Sequence, residues 1–165
     1  MLVVGIDPGI AITGIAFIKE NQGKQTLLYA SSVTTLSNIS TSERLAIIYS
    51  DLLKSLKKYQ PDYAVLENLF FNTNAKTALI VGQARGVVQL VLAQNKIPVV
   101  EYTPLQVKLA LTGYGRADKT QIQKMVAQIL KLPEILTPDD VADAAAIALT
   151  HCFSYKLNEA KSVKR

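Results

Sequence analysis

Four carboxylates stand where carboxylates are costly. Asp7 closes the apolar run Leu2-Val3-Val4-Gly5-Ile6, and Glu67 closes Tyr63-Ala64-Val65-Leu66. If these runs are neighbouring parallel strands, both acids emerge at one carboxyl edge, where open α/β sheets bind ligands. Each acid also has a plainer account. Asp before Pro8-Gly9 is a common turn former, and Glu67 fits a strand that simply leaves the core. The second pair lies in Thr137-Pro138-Asp139-Asp140-Val141-Ala142-Asp143. Asp140 and Asp143 are three apart and share a helical face. Thr137 reads as the N-cap and Pro138 as the first helical residue, so Asp139 and Asp140 also suit the positive end of the helix. That account fades before Asp143. The following Ala144, Ala145, Ala146 and Ala148 leave room for the helix to lie close to a sheet.

Two acids on a helix facing two acids at strand ends repel one another unless a cation joins them. Hard divalent ions such as Mg²⁺ prefer such oxygen ligands. Other chemistries lack their residues. One histidine, His151, leaves no credible Ser-His-Asp set and removes most histidine-based metal sites, and one cysteine, Cys152, excludes a disulfide framework or a cysteine-rich zinc site. Neither a P-loop nor a G-x-G-x-x-G turn is present. What remains is metal-assisted hydrolysis of a phosphate ester. His151 lies eight residues beyond Asp143, about 12 Å along a helix, and reads as a satisfied, partly buried side chain rather than a ligand. The net charge of +5 favours a polyanionic partner. Lys108, Arg116, Lys119, Lys124 and Lys131 fall in one stretch opposed by Asp118, although any single lysine there also reads as part of a solvated helix face.

These residues need a sheet and flanking helices to position them. The 165 residues suit one domain. Apolar runs predict strands at 2–7, 15–19, 25–34, 63–66 and 98–101, with a hairpin turn at Asn21-Gln22-Gly23-Lys24. Helical spacing predicts helices over 41–58, 74–94, 104–111, 119–130 and 138–154, the first capped by Thr41 or Ser42. On the second helix Ala78, Leu79, Val87, Leu90 and Val91 are assigned to the inner side. The expected fold class is α/β, a mixed five-stranded sheet: the first three strands antiparallel, the later strands parallel to the first, helices on both faces. Residues 1–158 form the expected domain and 159–165 a basic, disordered tail. No stretch is apolar enough to span a membrane, and the N-terminus reads as a strand rather than a signal peptide. The lone cysteine fits a reducing cytoplasm.

The motifs, in order, resemble the RuvC family of bacterial Holliday-junction resolvases. They are Asp7-Pro8-Gly9, Leu66-Glu67-Asn68-Leu69-Phe70, Gly82-Gln83-Ala84-Arg85-Gly86, Gln106-Val107-Lys108, Lys119-Thr120-Gln121-Ile122-Gln123, and Asp140-Val141-Ala142-Asp143 running on to His151-Cys152. The resemblance covers essentially the whole chain. It implies an RNase H-like fold and an acidic catalytic centre of Asp7, Glu67, Asp140 and Asp143 that binds Mg²⁺ or Mn²⁺, two ions per site. It implies a homodimer that binds four-way DNA junctions and makes paired cuts in strands of like polarity, leaving 5′-phosphate and 3′-hydroxyl ends. It implies partnership with the RuvA and RuvB branch-migration proteins. Lys108 and Lys119 match the family's DNA-contacting or catalysis-supporting lysines, and Arg85 and Arg116 join the expected DNA contacts. Phe70 matches an aromatic that stacks on bases at the opened crossover, with Phe71 as the alternative. Gly82 and Gly86 cost helix stability, about 1 kcal/mol each, which close packing offsets, either against the sheet or across a dimer seam.

Three rivals share parts of this pattern. Sugar-kinase and actin-like ATPases also open on an Asp-x-Gly turn, but are far longer. RNase H-like nucleases of ribosomal RNA processing are usually shorter and lack the Asp-x-x-Asp helix. A non-catalytic junction-binding protein is disfavoured by the intact set of four acids.

Overall fold

The computed structural model describes residues 1–68 and 75–162, with side chains except at 75–77 and 156–162. The chain runs β1 (Leu2–Asp7), β2 (Ile12–Asn21), β3 (Lys24–Thr34), α1 (Thr41–Tyr59), β4 (Tyr63–Glu67), α2 (Ala75–Gln94), β5 (Val99–Tyr102), α3 (Pro104–Thr112), α4 (Lys119–Leu130) and α5 (Asp139–Ser162). The sheet order is β3-β2-β1-β4-β5. β1, β2 and β3 pair antiparallel, while β4 and β5 run parallel to β1. This is the expected mixed five-stranded sheet.

Alternation along β1 divides the core between the two faces. Val4 and Ile6 face α1 and α2, packing with Ile48, Leu52, Val88 and Leu92. Val3 faces the other way, with Val65 and the apolar faces of α3, α4 and α5. α5 lies nearest the sheet, and two glycines make that possible. A β-carbon on Gly5 would run into the carbonyl of Ala144, and one on Gly14 into that of Asp140. The alanine run of α5 is the complementary half of this close approach, as its small residues predicted.

Several expectations change in detail. β2 begins at Ile12, earlier than predicted, because the turn after Asp7 is tight: Thr13 donates to the Gly9 carbonyl at 2.7 Å and Thr35 donates to that of Ile10 at 2.5 Å. α1 is capped by Ser40, whose hydroxyl accepts from the Glu43 amide while Glu43 reaches back to the Ser40 amide. α5 starts at Asp139, so Pro138 precedes the helix, and it runs on to Ser162. Leu79 and Leu90, expected on the inner side of α2, are 66% and 51% exposed. The inner residues are Ala84, Val88, Val91 and Leu92. Gly82 and Gly86 meet open space rather than the sheet, which removes the sheet-packing account of them. The helix is apolar nearly all round, so its pattern does not say which side faces in.

Candidate active site

Strand register brings the first two acids together. β1 and β4 pair with Ile6 beside Leu66, so Asp7 and Glu67 are the next residues along two adjacent parallel strands. They alternate with Ile6 and Leu66, which belong to the α1–α2 core. Both therefore sit on the α5 side. There Gly14, the register partner of Asp7, lies against the Asp140 backbone. Asp143, one turn further along α5, lines a cavity with Glu67, Lys108, Lys119, Val107 and Ile122. Asp140 lies towards the turn that carries Gly9, Ile10 and Ala11. The helix thus supplies one acid on each side of the two strand ends.

The electrostatics report the same crowding. Burial, then the charges of Asp143, Asp140 and Glu67, push the Asp7 carboxyl up to about 7, with Lys119 opposing. Burial and Asp143 raise Glu67, while Arg85 pulls it down. Burial raises Asp143 too, against the stabilising contact with Lys119. Among the described residues, no three acidic, histidine or cysteine side chains are already closed on a common ligating point. The donor set is all oxygen, and Asp7, Glu67 and Asp143 are disfavoured as anions by burial and then by neighbouring acids. Those are the properties of a site that takes a hard divalent cation.

Lys119 supplies a cation beside the helix acids. Its Nζ lies 3.1 Å from a carboxylate oxygen of Asp139 and 3.1 Å from one of Asp143. As the first residue of α4 it sits at the positive end of a helix, where a cation is disfavoured. The two carboxylates compensate: against partial desolvation, the bonds to Asp143 and Asp139 hold its ammonium above the usual lysine range. Gln123 donates to Asp139 at 3.0 Å, and these bonds hold Asp139 below the usual carboxylate range. Asp139 is therefore more than a dipole-compensating residue; it shares the lysine with a proposed ligand.

The other expected residues divide. Lys108 lines the same cavity from α3. Arg116 is exposed on the connection between α3 and α4. Arg85, expected on the DNA surface, is turned inward: its side chain is 12% exposed. It donates to the backbone carbonyl of Glu67 at 2.6 Å and to the Glu101 carboxylate at 2.5 Å. Phe70 and Phe71 lie outside the described residues, as does the tail beyond Ser162. His151 is buried among Tyr63, Tyr102 and Tyr155, away from the acids. Its Nδ1 is 3.0 Å from the Tyr102 hydroxyl, while Nε2 has no partner among the described residues, so there it is only half satisfied. Burial holds it below the usual histidine range, and it ties α5 to β5. The Arg85–Glu101 pair and the second partner of Lys119 join elements far apart in the chain, and no sequence spacing predicts them. One signal was available: Arg85 is the lone charge in the α2 stretch 77–94, and Glu101 is the lone charge in β5.

Comparison with known proteins gives a consistent pattern. The family model described as "Crossover junction endodeoxyribonuclease RuvC" matches residues 3–151. A crossover junction endodeoxyribonuclease RuvC of Halothermothrix orenii is 49% identical over 158 residues, covering 96% of each chain. The solved structure of Thermus thermophilus RuvC in complex with Holliday junction substrate superposes with a TM-score of 0.91, at 37% identity and 96% coverage of each chain. The yeast mitochondrial Holliday junction resolvase Ydc2 shares the fold at 16% identity, with a TM-score of 0.67 over 98% of this chain and 83% of that one.

Proposed function

This chain belongs to the RuvC family of crossover junction endodeoxyribonucleases, and we propose that the basin between β1, β4 and α5 is where it cuts. The fold is RNase H-like and the enzyme is a Holliday-junction resolvase. The single observation that supports this placement is the convergence of Asp7, Glu67, Asp140 and Asp143 on one basin, where burial and then the charges of the other three acids push Asp7 up to about 7. In this reading the four carboxylates hold Mg²⁺ or Mn²⁺, two ions per site. Held there, they would supply activation of the attacking water and charge stabilisation at the leaving 3′-oxygen. The P–O3′ bond breaks, giving 5′-phosphate and 3′-hydroxyl ends.

The chain's own residues do the rest. Lys108 and Lys119 hold the scissile strand's phosphates over the acids, and Arg116 adds a contact further out. Such contacts fix register and carry the salt-dependent part of affinity. Asp139 would keep Lys119 tethered so that Asp143 is free to serve as a ligand. Phe70, or Phe71 beside it, stacks on a base at the opened crossover.

Two copies act together. Leu79, Gln83, Gly86 and Leu90 make an exposed stripe along α2, and Gly82 and Gly86 leave open space above the backbone. An uncharged stripe of leucine, glutamine and glycine suits a second α2 across a twofold axis, which also matches the symmetry of a four-way junction. The assembly works with RuvA and RuvB in the bacterial cytoplasm. Among the described residues, no helix is long and apolar enough to cross a membrane.

The test is cleavage of a mobile four-way junction with mapped cut sites. Mg²⁺ or Mn²⁺ supports paired symmetric cuts, and Ca²⁺ supports binding with little cutting. Asp7→Asn, Glu67→Gln, Asp140→Asn and Asp143→Asn each abolish cutting and keep junction binding. A Glu67→Gln enzyme within tenfold of the wild-type rate overturns the role of Glu67. Cleavage of structured RNA in preference to the junction overturns the substrate.

A further inference from the structure

Arg85 is the one charged side chain among the described side chains of α2, and it points away from solvent. Its guanidinium spans two strand ends. One nitrogen donates to the carbonyl of Glu67, the last residue of β4, at 2.6 Å. The other donates to Glu101 of β5 at 2.5 Å. Glu101 pairs in register with Leu66, the residue before Glu67. The sheet ladder continues on past this point, because the Asn68 amide donates to the Tyr102 carbonyl at 2.8 Å. The peptide after Glu67 is therefore held on its amide side by β5 and on its carbonyl side by Arg85.

A guanidinium donates in a fixed planar fork, so two bonds restrict rotation as well as translation. Glu101 orients that fork and satisfies its charge. A point-charge ammonium on a flexible stem would offer neither constraint. A strand end is where backbone holds loosen, and Glu67 has to present its carboxylate to the same point as Asp7 and Asp143. A metal ligand displaced by a fraction of an ångström loses ligation geometry, most severely for Mg²⁺, which demands near-ideal octahedral coordination.

We propose that Arg85 and Glu101 form a positioning pair for Glu67, holding the end of β4 so that its carboxylate meets the metal site. This rests on the reading of the acidic basin as that site. It replaces a phosphate-contact role for Arg85, and the two roles differ in what Glu101 does. A positioning pair needs both members. For a phosphate contact, Glu101 would be a competitor whose removal helps binding.

The test compares Arg85→Gln, Glu101→Gln and the double variant in the full-length protein. Three quantities are measured: junction cleavage across a Mg²⁺ titration, junction affinity in Ca²⁺ at several salt concentrations, and Mn²⁺ binding by calorimetry without DNA. Each single variant should raise the half-saturating Mg²⁺ about tenfold and weaken Mn²⁺ binding in parallel. The double variant should be no worse than the poorer single one, and junction affinity should stay within twofold with an unchanged salt slope. Arg85→Lys should restore little. The proposal fails if Arg85→Gln flattens the log–log salt slope by about 0.9 while Glu101→Gln leaves metal dependence untouched. It fails also if the two losses add. Should Arg85→Gln not fold, Glu101→Gln decides alone, since it removes one acceptor at a partly exposed position. A wild-type protein that binds Mn²⁺ but never cuts a junction would count against the junction-cutting reading, and the Mn²⁺ titrations would still judge the pair.

Discussion

At the scale of single residues, the basin works through charges that the folded chain holds against their preference. Asp7 is the clearest case. Its ordinary value of 3.8 rises to about 7 in the fold, so between these values the native state keeps a proton that the unfolded chain gives up. Stability then falls as pH rises through that window, and the full cost stands above pH 7. The gap corresponds to at most about 4 kcal/mol, of which relaxation and water return part. Asp7→Asn should therefore stabilise the metal-free protein by about 1–2 kcal/mol at pH 8, or roughly 2–8 °C in Tm. The gain should vanish near pH 4. Thermal melts in EDTA across this range check it, and a gain equal at both ends would refute the charge argument. Asp139 makes a second case. It shares Lys119 with Asp143, so Asp139→Asn should leave the lysine on Asp143 alone. The half-saturating Mg²⁺ should rise a few-fold, and junction affinity in Ca²⁺ should not fall. An unchanged Mg²⁺ titration would leave Asp139 as a surface partner only.

At the scale of elements, the site depends on how near α5 comes to β1 and β2. Asp140 and Asp143 reach the strand ends because Gly5 and Gly14 let the helix backbone rest on the sheet. Gly5→Ala sets a methyl group against the Ala144 carbonyl, and backbone has less freedom to yield than a flexible side chain. Overpacking costs typically about 1–3 kcal/mol, and this position belongs at the upper end. Urea denaturation should show a loss of about 3 kcal/mol. Because α5 must lift, the half-saturating Mg²⁺ should rise as well. A variant as stable as wild type would mean the helix slides without cost. The same element logic separates the faces of α2: Ala84, Val88 and Val91 face the core, Arg85 reaches the end of β4, and the stripe that carries Gly86 faces outward.

At the scale of the whole molecule, paired cutting needs two basins at a fixed separation. If α2 meets α2 across a twofold axis, Gly86→Glu places two like charges in a seam that had none. Glutamate favours helix more than glycine by a substantial fraction of 1 kcal/mol, so the isolated fold should not suffer. Light scattering should then show a monomer where wild type is a dimer, with circular dichroism unchanged. On a junction, the variant should nick one strand without the paired second cut. A dimer that survives Gly86→Glu would move the interface elsewhere.

The sequence by itself determined the sheet, the order of elements and the four acids. These are local properties: alternation within a strand, a carboxylate ending an apolar run, two acids three apart on a helix, small residues after them. Even the antiparallel-then-parallel arrangement follows from short hairpins giving way to helical crossovers. Tertiary structure alone decided which face of α2 turns inward, because a helix apolar nearly all round carries no directional pattern. It decided that Arg85 braces Glu67 across β4 and β5 instead of lying open to solvent. It also decided that Lys119 is shared by two acids of another helix. Each of these depends on a meeting between elements distant in the chain. A side chain's charge fixes what it seeks, but only packing fixes which partner lies within reach.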